Sequence, residues 1–132
     1  MKYMLDTNIC IYAIKKKPEG VLERLRSELD SGICISSVTL AELRFGVEKS
    51  LYPERNTVAL SQFLVPLNVL PFDDTAAVEY GRICAFLQRK GTPIGTMDML
   101  IAAHAKTVGI PLVTNNTKEF ERVPDLLLEN WV

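Results

Sequence analysis

Short apolar runs alternate with segments of helical periodicity along the whole chain. The apolar runs predict strands at Lys2–Leu5, Ile33–Ser36, Asn68–Phe72, Pro111–Thr114 and, near the end, Leu126–Trp131. The segments between them predict helices over Ile9–Ile14, from Pro18 to Ser31, over Ser37–Lys49, from Pro53 to Pro66, from Asp73 to about Arg89, over Met97–Gly109 and over Asn115–Arg122. The helix from Met97 is apolar on nearly every side, which is typical of a buried helix.

This alternation predicts an α/β fold. Strands that alternate with helices form a mainly parallel sheet flanked by helices, because each crossover carries the chain back in the same direction. The sequence offers four to five strands for that sheet. A length of 132 residues, without internal repeats, predicts one domain covering residues 1–132.

Polar residues stand where these strands end. Asp6 ends the first strand, Glu42 lies early in the helix after the second, and the stretch from Thr114 to Glu119 follows the fourth. Asp98 begins a helix that could return to the same edge. Ligands of a parallel sheet bind beyond the carboxyl ends of its strands. We therefore expect four segments to bring oxygen ligands to one rim.

Gathered carboxylates repel one another, and burying an uncompensated anion costs several kcal/mol, on the order of the usual desolvation penalty. A cation resolves this, and oxygen ligands select hard ions such as magnesium or manganese. Such an ion binds phosphate oxygens and lowers the pKa of a water that can attack phosphorus. The cluster therefore predicts metal-assisted phosphodiester chemistry.

Simpler interpretations stay open for each residue alone. Asp6 could be only a helix cap, and Asp98 only a first-turn acid favoured by the helix dipole. Glu42 is harder to explain in this way, because a lone glutamate is rarely buried among apolar neighbours without a partner. The single histidine, His104, is better explained as a hydrogen-bonded core imidazole than as a catalytic group.

Composition and charge narrow the picture. The chain is 48% hydrophobic and 23% charged, with a net charge of −1, which does not indicate a nucleic-acid binder. Local cations such as Lys15, Lys16 and Lys17 could supply positive patches, although a solvated helix end explains them equally well. No apolar run is long enough to cross a bilayer, so we expect a cytoplasmic protein. The three cysteines indicate buried thiols in a reducing compartment.

Four segments carry a resemblance to a known family. They are MLDTN after the first strand, ISSVTLAEL, GTPIGTMDMLIAAHA before the fourth strand and LVTNNTKEFERVP from that strand onwards. Together they resemble the VapC-type toxins of the PIN-domain family over nearly the whole chain. The resemblance implies a three-layer α/β/α sandwich and a metal-dependent endoribonuclease.

The resemblance also implies roles for individual residues. Asp6, Glu42 and Asp98 match the acidic core that binds magnesium or manganese, and Glu119 looks like a further acid of the site. Asn116 stands where many PIN domains carry a fourth aspartate, which leaves its ligand role open. The positions of Asn8 and Thr114 imply supporting groups that orient the carboxylates.

The family further implies an RNA product with a 5′-phosphate and a 3′-hydroxyl. It also implies a homodimer, neutralisation by a VapB-type antitoxin, and a structured RNA target such as the anticodon loop of initiator tRNA. Rival enzyme classes fit less well. Haloacid-dehalogenase-like phosphatases need a second aspartate where Asn8 stands, and no GxxxxGK[ST] phosphate loop is present. A PIN-like module without activity should lack some of the acids.

Overall fold

The computed structural model describes residues 1–132 and contains five strands and seven helices. The strands are β1 (Tyr3–Leu5), β2 (Ile33–Ser36), β3 (Asn68–Leu70), β4 (Leu112–Val113) and β5 (Leu128–Glu129). The helices are α1 (Thr7–Lys15), α2 (Glu19–Glu28), α3 (Ser37–Glu48), α4 (Pro53–Leu64), α5 (Asp74–Lys90), α6 (Thr96–Val108) and α7 (Thr117–Phe120). A short 3-10 turn, Leu29–Ser31, follows α2.

All five strands belong to one parallel sheet with the order β3-β2-β1-β4-β5. The first strand is therefore central. Met4 pairs with Cys34 of β2 on one side and with Leu112 of β4 on the other. The carboxyl ends of β1, β2 and β4 consequently lie next to one another, which brings the segments that follow them to one rim.

The sheet separates two apolar cores, because successive strand residues point to opposite faces. Tyr3 and Leu5 pack in a core with residues of α1 to α4, whereas Met4 packs in a core with residues of α5 to α7. Both faces are thus covered by helices. The predicted α/β class and three-layer arrangement are confirmed, and the sheet is entirely parallel.

Helix α6 is the most deeply buried helix, as its apolar composition predicts. Its buried residues include Ile101, Ala102, Ala103 and Ala105. The cysteines are free; Cys10 and Cys34 are buried as predicted, while Cys84 is half-buried. None of the helices combines the length and the apolar character that a bilayer-spanning segment requires.

Some predicted ends differ from the observed ones for local reasons. Strand β3 ends at Leu70 and not at Phe72, because Pro71 has no N–H to donate and the Phe72 N–H donates to the Ser37 hydroxyl at 3.0 Å. The last helix is shorter than predicted. It begins only after Asn116, whose N–H donates to the Thr114 hydroxyl at 2.9 Å and so forms a turn after β4.

Candidate active site

Asp6 lies at the junction of β1 and α1 and serves both as a helix cap and as a buried acid. Its Oδ1 accepts from the Ile9 N–H at 2.9 Å, and only 4% of the residue is exposed. Burial raises the pKa of Asp6 above its ordinary value, although hydrogen bonds from Thr114 and from the Ile9 N–H lower it in part. The nearby charge of Glu42 raises it further. The cap interpretation and the cluster interpretation are therefore compatible.

Glu42 reaches the same rim from the second turn of α3. The Ser36 hydroxyl starts this helix at the end of β2 by accepting from the Val38 N–H at 3.1 Å. The Glu42 carboxylate is half-buried, and its Oε1 accepts a hydrogen bond from the Thr7 hydroxyl. That bond links the second helical unit to the first residue of α1, directly after Asp6.

Asp98 lies in the first turn of α6 and carries the strongest sign of a shared site. Its pKa is raised to about 6, first by burial and then by the charges of Glu119, Asp6 and Glu42. These are the three other acids that the sequence and the family resemblance single out. The structure therefore brings all four acidic side chains into electrostatic contact, from four separate segments.

Glu119 and its neighbours form the side of the site that follows β4. The Asn116 amide donates from Nδ2 to Oε2 of Glu119 at 2.9 Å. Thr114 is fully buried, and its hydroxyl accepts from the Asn116 N–H. Asn116 thus contacts a carboxylate of the cluster as a hydrogen-bond donor.

No cationic side chain neutralises the four acids. The ion pairs of the chain join Arg24 with Glu28 and Glu129, and Glu79 with Arg82 and Lys106, and none involves the cluster. Carboxylates that face one another without a cation are electrostatically unfavourable at neutral pH. The cluster thus has an unmet requirement for positive charge.

The donor set fits a hard divalent cation in its chemistry, since it consists of carboxylate oxygens with amide and hydroxyl groups around them. In this conformation, however, no three His, Cys, Asp or Glu side chains converge closely enough to hold one ion. The two outer carboxylates are engaged by protein donors, Glu42 by Thr7 and Glu119 by Asn116. Binding an ion would therefore draw the carboxylates closer together.

The side chains of Asn8 and His104 lie in different environments. Asn8 is exposed, and its backbone N–H, not its side chain, acts on Asp6. His104 is buried, and its Nδ1 lies 2.7 Å from the Ser36 hydroxyl, which confirms a hydrogen-bonded core imidazole. The contact of Thr7 with Glu42 is not predicted by the sequence pattern. No local pattern could have found that contact, because the two residues are 35 positions apart.

Comparison with known proteins agrees with this geometry. The PIN domain family model matches residues 3–126. The chain is 51% identical over 131 residues to a tRNA(fMet)-specific endonuclease VapC of Salmonella typhimurium, covering 99% of this chain and 98% of that protein. It is 48% identical over 132 residues to Ribonuclease VapC2 of Haemophilus influenzae, covering 100% and 99%.

A solved structure is also similar to this chain along its full length. The chain superimposes with a TM-score of 0.95 and 45% identity on a chain of VapBC2 from Rickettsia felis, a complex bound to a DNA fragment from its promoter. The match covers 100% of both chains. Sequence and fold therefore point to the same family along the full length.

Proposed function

The chain belongs to the PIN-domain family and, within it, to the VapC-type ribonucleases, and we propose a function from this premise. It is a magnesium- or manganese-dependent endoribonuclease and the toxin of a type II toxin–antitoxin module. The family resemblance in its four sequence segments is thereby confirmed. The metal ion, the RNA target, the antitoxin and the roles of individual residues are the parts that we propose.

One observation carries the proposed metal dependence. Asp98 has a pKa of about 6 because it is buried beside Glu119, Asp6 and Glu42, and no lysine or arginine pairs with any of these acids. Unpaired acids in such a cluster do not stabilise the fold, so their presence calls for another explanation. A divalent cation would turn this repulsion into attraction, which supports a metal site at this rim.

The positions of the four acids suggest different roles for them in the reaction. Asp6 and Asp98 are the most firmly placed, at the end of the central strand and the start of the buried helix, and would hold the ion. Glu42 and Glu119 lie on the outer segments and would complete its environment and accept a proton from the attacking water. A bound ion would withdraw charge from the scissile phosphate and acidify that water.

We propose a structured RNA as the substrate, specifically the anticodon loop of initiator tRNA. The Salmonella typhimurium relative bears the name of a tRNA(fMet)-specific endonuclease and is 51% identical over nearly all of this chain. Water attack at phosphorus would leave a 5′-phosphate and a 3′-hydroxyl. Because the net charge is −1, phosphate contacts would depend on local cations such as the exposed Lys16 and Lys17.

A VapB-type antitoxin would bind beside the acidic rim. A groove of about 380 Å³ between α1, α3 and α4 is lined by apolar residues such as Ile14, Val47 and Leu60, and Glu42 lies in its wall. A segment of the antitoxin could fill the groove and place a basic side chain on the carboxylates. We also propose a homodimer in the cytoplasm, where its RNA substrate is found.

Cleavage of defined RNAs tests the enzymatic part. Purified protein is incubated with initiator tRNA transcript, with elongator methionine tRNA and with total RNA, in Mg²⁺, in Mn²⁺ and in EDTA. We expect one cut in the anticodon loop of the initiator transcript, in metal only. Asp6→Asn and Asp98→Asn should lose activity by about a hundredfold or more, whereas Asp74→Asn, an exposed first-turn acid of α5, should cleave normally.

Several results would contradict the proposal. Cleavage that persists in EDTA would exclude the metal, and full activity of Asp98→Asn would exclude the acidic cluster as the site. Intact RNA under all conditions would favour a binding module without activity. Adding the cognate VapB-type protein should abolish cleavage, and undiminished cleavage in its presence would refute the proposed neutralisation. Light scattering of the purified protein measures whether it is a dimer.

A further inference from the structure

The hydroxyl of Thr7 makes one polar contact that neither helix capping nor core packing explains. Thr7 is the first residue of α1, and its Oγ1 donates to Oε1 of Glu42 on α3. The side chain is half-buried, and its acceptor lies 35 positions away in the sequence. A threonine hydroxyl has a single proton to donate, and here that proton is directed to one carboxylate of the acidic cluster.

Glu42 is the member of the cluster that most needs such a restraint. Its side chain has three rotatable bonds, and their freedom is lost when the carboxylate is held in one orientation. The charges of Asp6 and Asp98 also repel it, since Glu42 raises the pKa of both groups. Repulsion and entropy both favour rotation of this carboxylate away from the site. A hydrogen bond from a neutral hydroxyl to the ionised carboxylate is charge-assisted, and it is strong enough to oppose both effects without adding a charge.

The bond leaves Glu42 able to act as a ligand. A carboxylate accepts about four hydrogen bonds through its two oxygens, so one bond at Oε1 leaves most of its lone pairs free. Thr7 also adds no charge, and so it neither competes with a cation nor neutralises the cluster. A lysine or arginine beside Glu42 would instead bring a positive charge that competes with the ion.

We propose that Thr7 is a positioning residue that keeps the Glu42 carboxylate at the acidic rim in the metal-free protein, so that less side-chain freedom is lost when the ion binds. This inference rests on the proposed metal dependence and goes beyond it by assigning a role to a residue outside the four acids. The alternative is that Thr7 only links α1 to α3. A structural link would affect the stability of the fold, whereas a positioning residue affects metal affinity through Glu42 and through no other group.

A double-mutant cycle read by Mn²⁺ affinity separates the two possibilities. Mn²⁺ binding is measured by electron paramagnetic resonance, without RNA, for wild type, Thr7→Val, Thr7→Ser, Glu42→Ala and the double variant Thr7→Val/Glu42→Ala. Thr7→Ala is a second variant without the hydroxyl, so the comparison does not depend on the fold accepting valine. Thr107→Val is the matched control, since its hydroxyl donates to the Ala103 carbonyl at the far end of α6.

We expect Thr7→Val and Thr7→Ala to weaken Mn²⁺ binding by about tenfold, the usual effect of losing a group that orients a ligand. Thr7→Ser should bind nearly as wild type does, because it keeps the hydroxyl. In the Glu42→Ala background the Thr7→Val change should alter affinity by less than about twofold, since the group it acts through is gone. Thr107→Val should bind normally.

The failures are distinguishable. If wild type binds Mn²⁺ and Thr7→Val binds it equally well, Thr7 is not a positioning residue and the proposed metal site stands. The same conclusion follows if Thr7→Val still weakens binding about tenfold in the Glu42→Ala background. If wild type binds no Mn²⁺, the proposed metal dependence is wrong and the inference falls with it.

Discussion

Replacing Asp98 by asparagine should stabilise the metal-free protein at neutral pH. The folded chain raises the pKa of this carboxyl from 3.8 to about 6, so it holds the proton more tightly than the unfolded chain does. The protonated carboxyl therefore favours the fold below about pH 3.8, and this contribution is lost as the pH rises through about 6. Asparagine avoids that loss because it never ionises.

The magnitude follows from the shift. About two pKa units correspond to about 3 kcal/mol, at roughly 1.4 kcal/mol per unit. Because the side chain is only half-buried and solvent screens its charge, we expect about 1–3 kcal/mol. For a chain of this length, each kcal/mol raises the melting temperature by roughly 3–4 °C.

Thermal unfolding in EDTA from pH 4 to pH 8 measures this effect. Asp98→Asn should melt above wild type at pH 7.5, and the difference should shrink towards pH 4. Asp74→Asn is the control, because it also removes a first-turn acid but lies in an exposed position. Saturating Mn²⁺ should stabilise wild type and leave Asp98→Asn unchanged. An Asp98→Asn protein that melts below wild type at pH 7.5 would refute the electrostatic reasoning.

Three further predictions concern pH and buried hydroxyls. Because Asp98 is protonated below about pH 6, Mn²⁺ affinity should fall by up to about tenfold per pH unit below that value, and a flat titration between pH 5 and 6 would contradict this. Ser36→Ala should lower the free energy of unfolding in urea by about 2–4 kcal/mol, because it removes the cap of α3 and leaves the buried His104 imidazole without its hydrogen-bond partner. A decrease below about 0.5 kcal/mol would be inconsistent with this account. Thr39→Val should be neutral or stabilising by up to about 2 kcal/mol, because the fully buried Thr39 hydroxyl has no hydrogen-bond partner, and clear destabilisation would show that a partner exists.

Much of the site was predictable because its residues stand at ends of elements. Asp6 follows an apolar run and Asp98 opens an apolar helix, so local periodicity places both at helix starts. A parallel sheet then brings the ends of its strands to one edge. Family resemblance added Glu119, which the residue pattern alone placed only within a polar stretch.

The contacts within the site were not predictable from local patterns. The sequence does not state that β1 lies between β2 and β4, and the contact of Thr7 with Glu42 depends on that order. The exposed side chain of Asn8 illustrates the same point. The family resemblance implies that Asn8 is a supporting group, and in the structure its side chain is exposed while its backbone N–H interacts with Asp6.

The sequence by itself determined the alternation of strands and helices, the α/β class, the burial of α6 and the placement of Asp6 and Asp98 at helix starts. These follow from hydrophobic periodicity and capping residues, which act over a few positions. Only the tertiary structure decided the strand order, the electrostatic contact of Asp98 with the three other acids, and the donors that hold Glu42 and Glu119. Those features arise from burial between distant segments, because the energy of an unpaired charge depends on which groups the fold places around it.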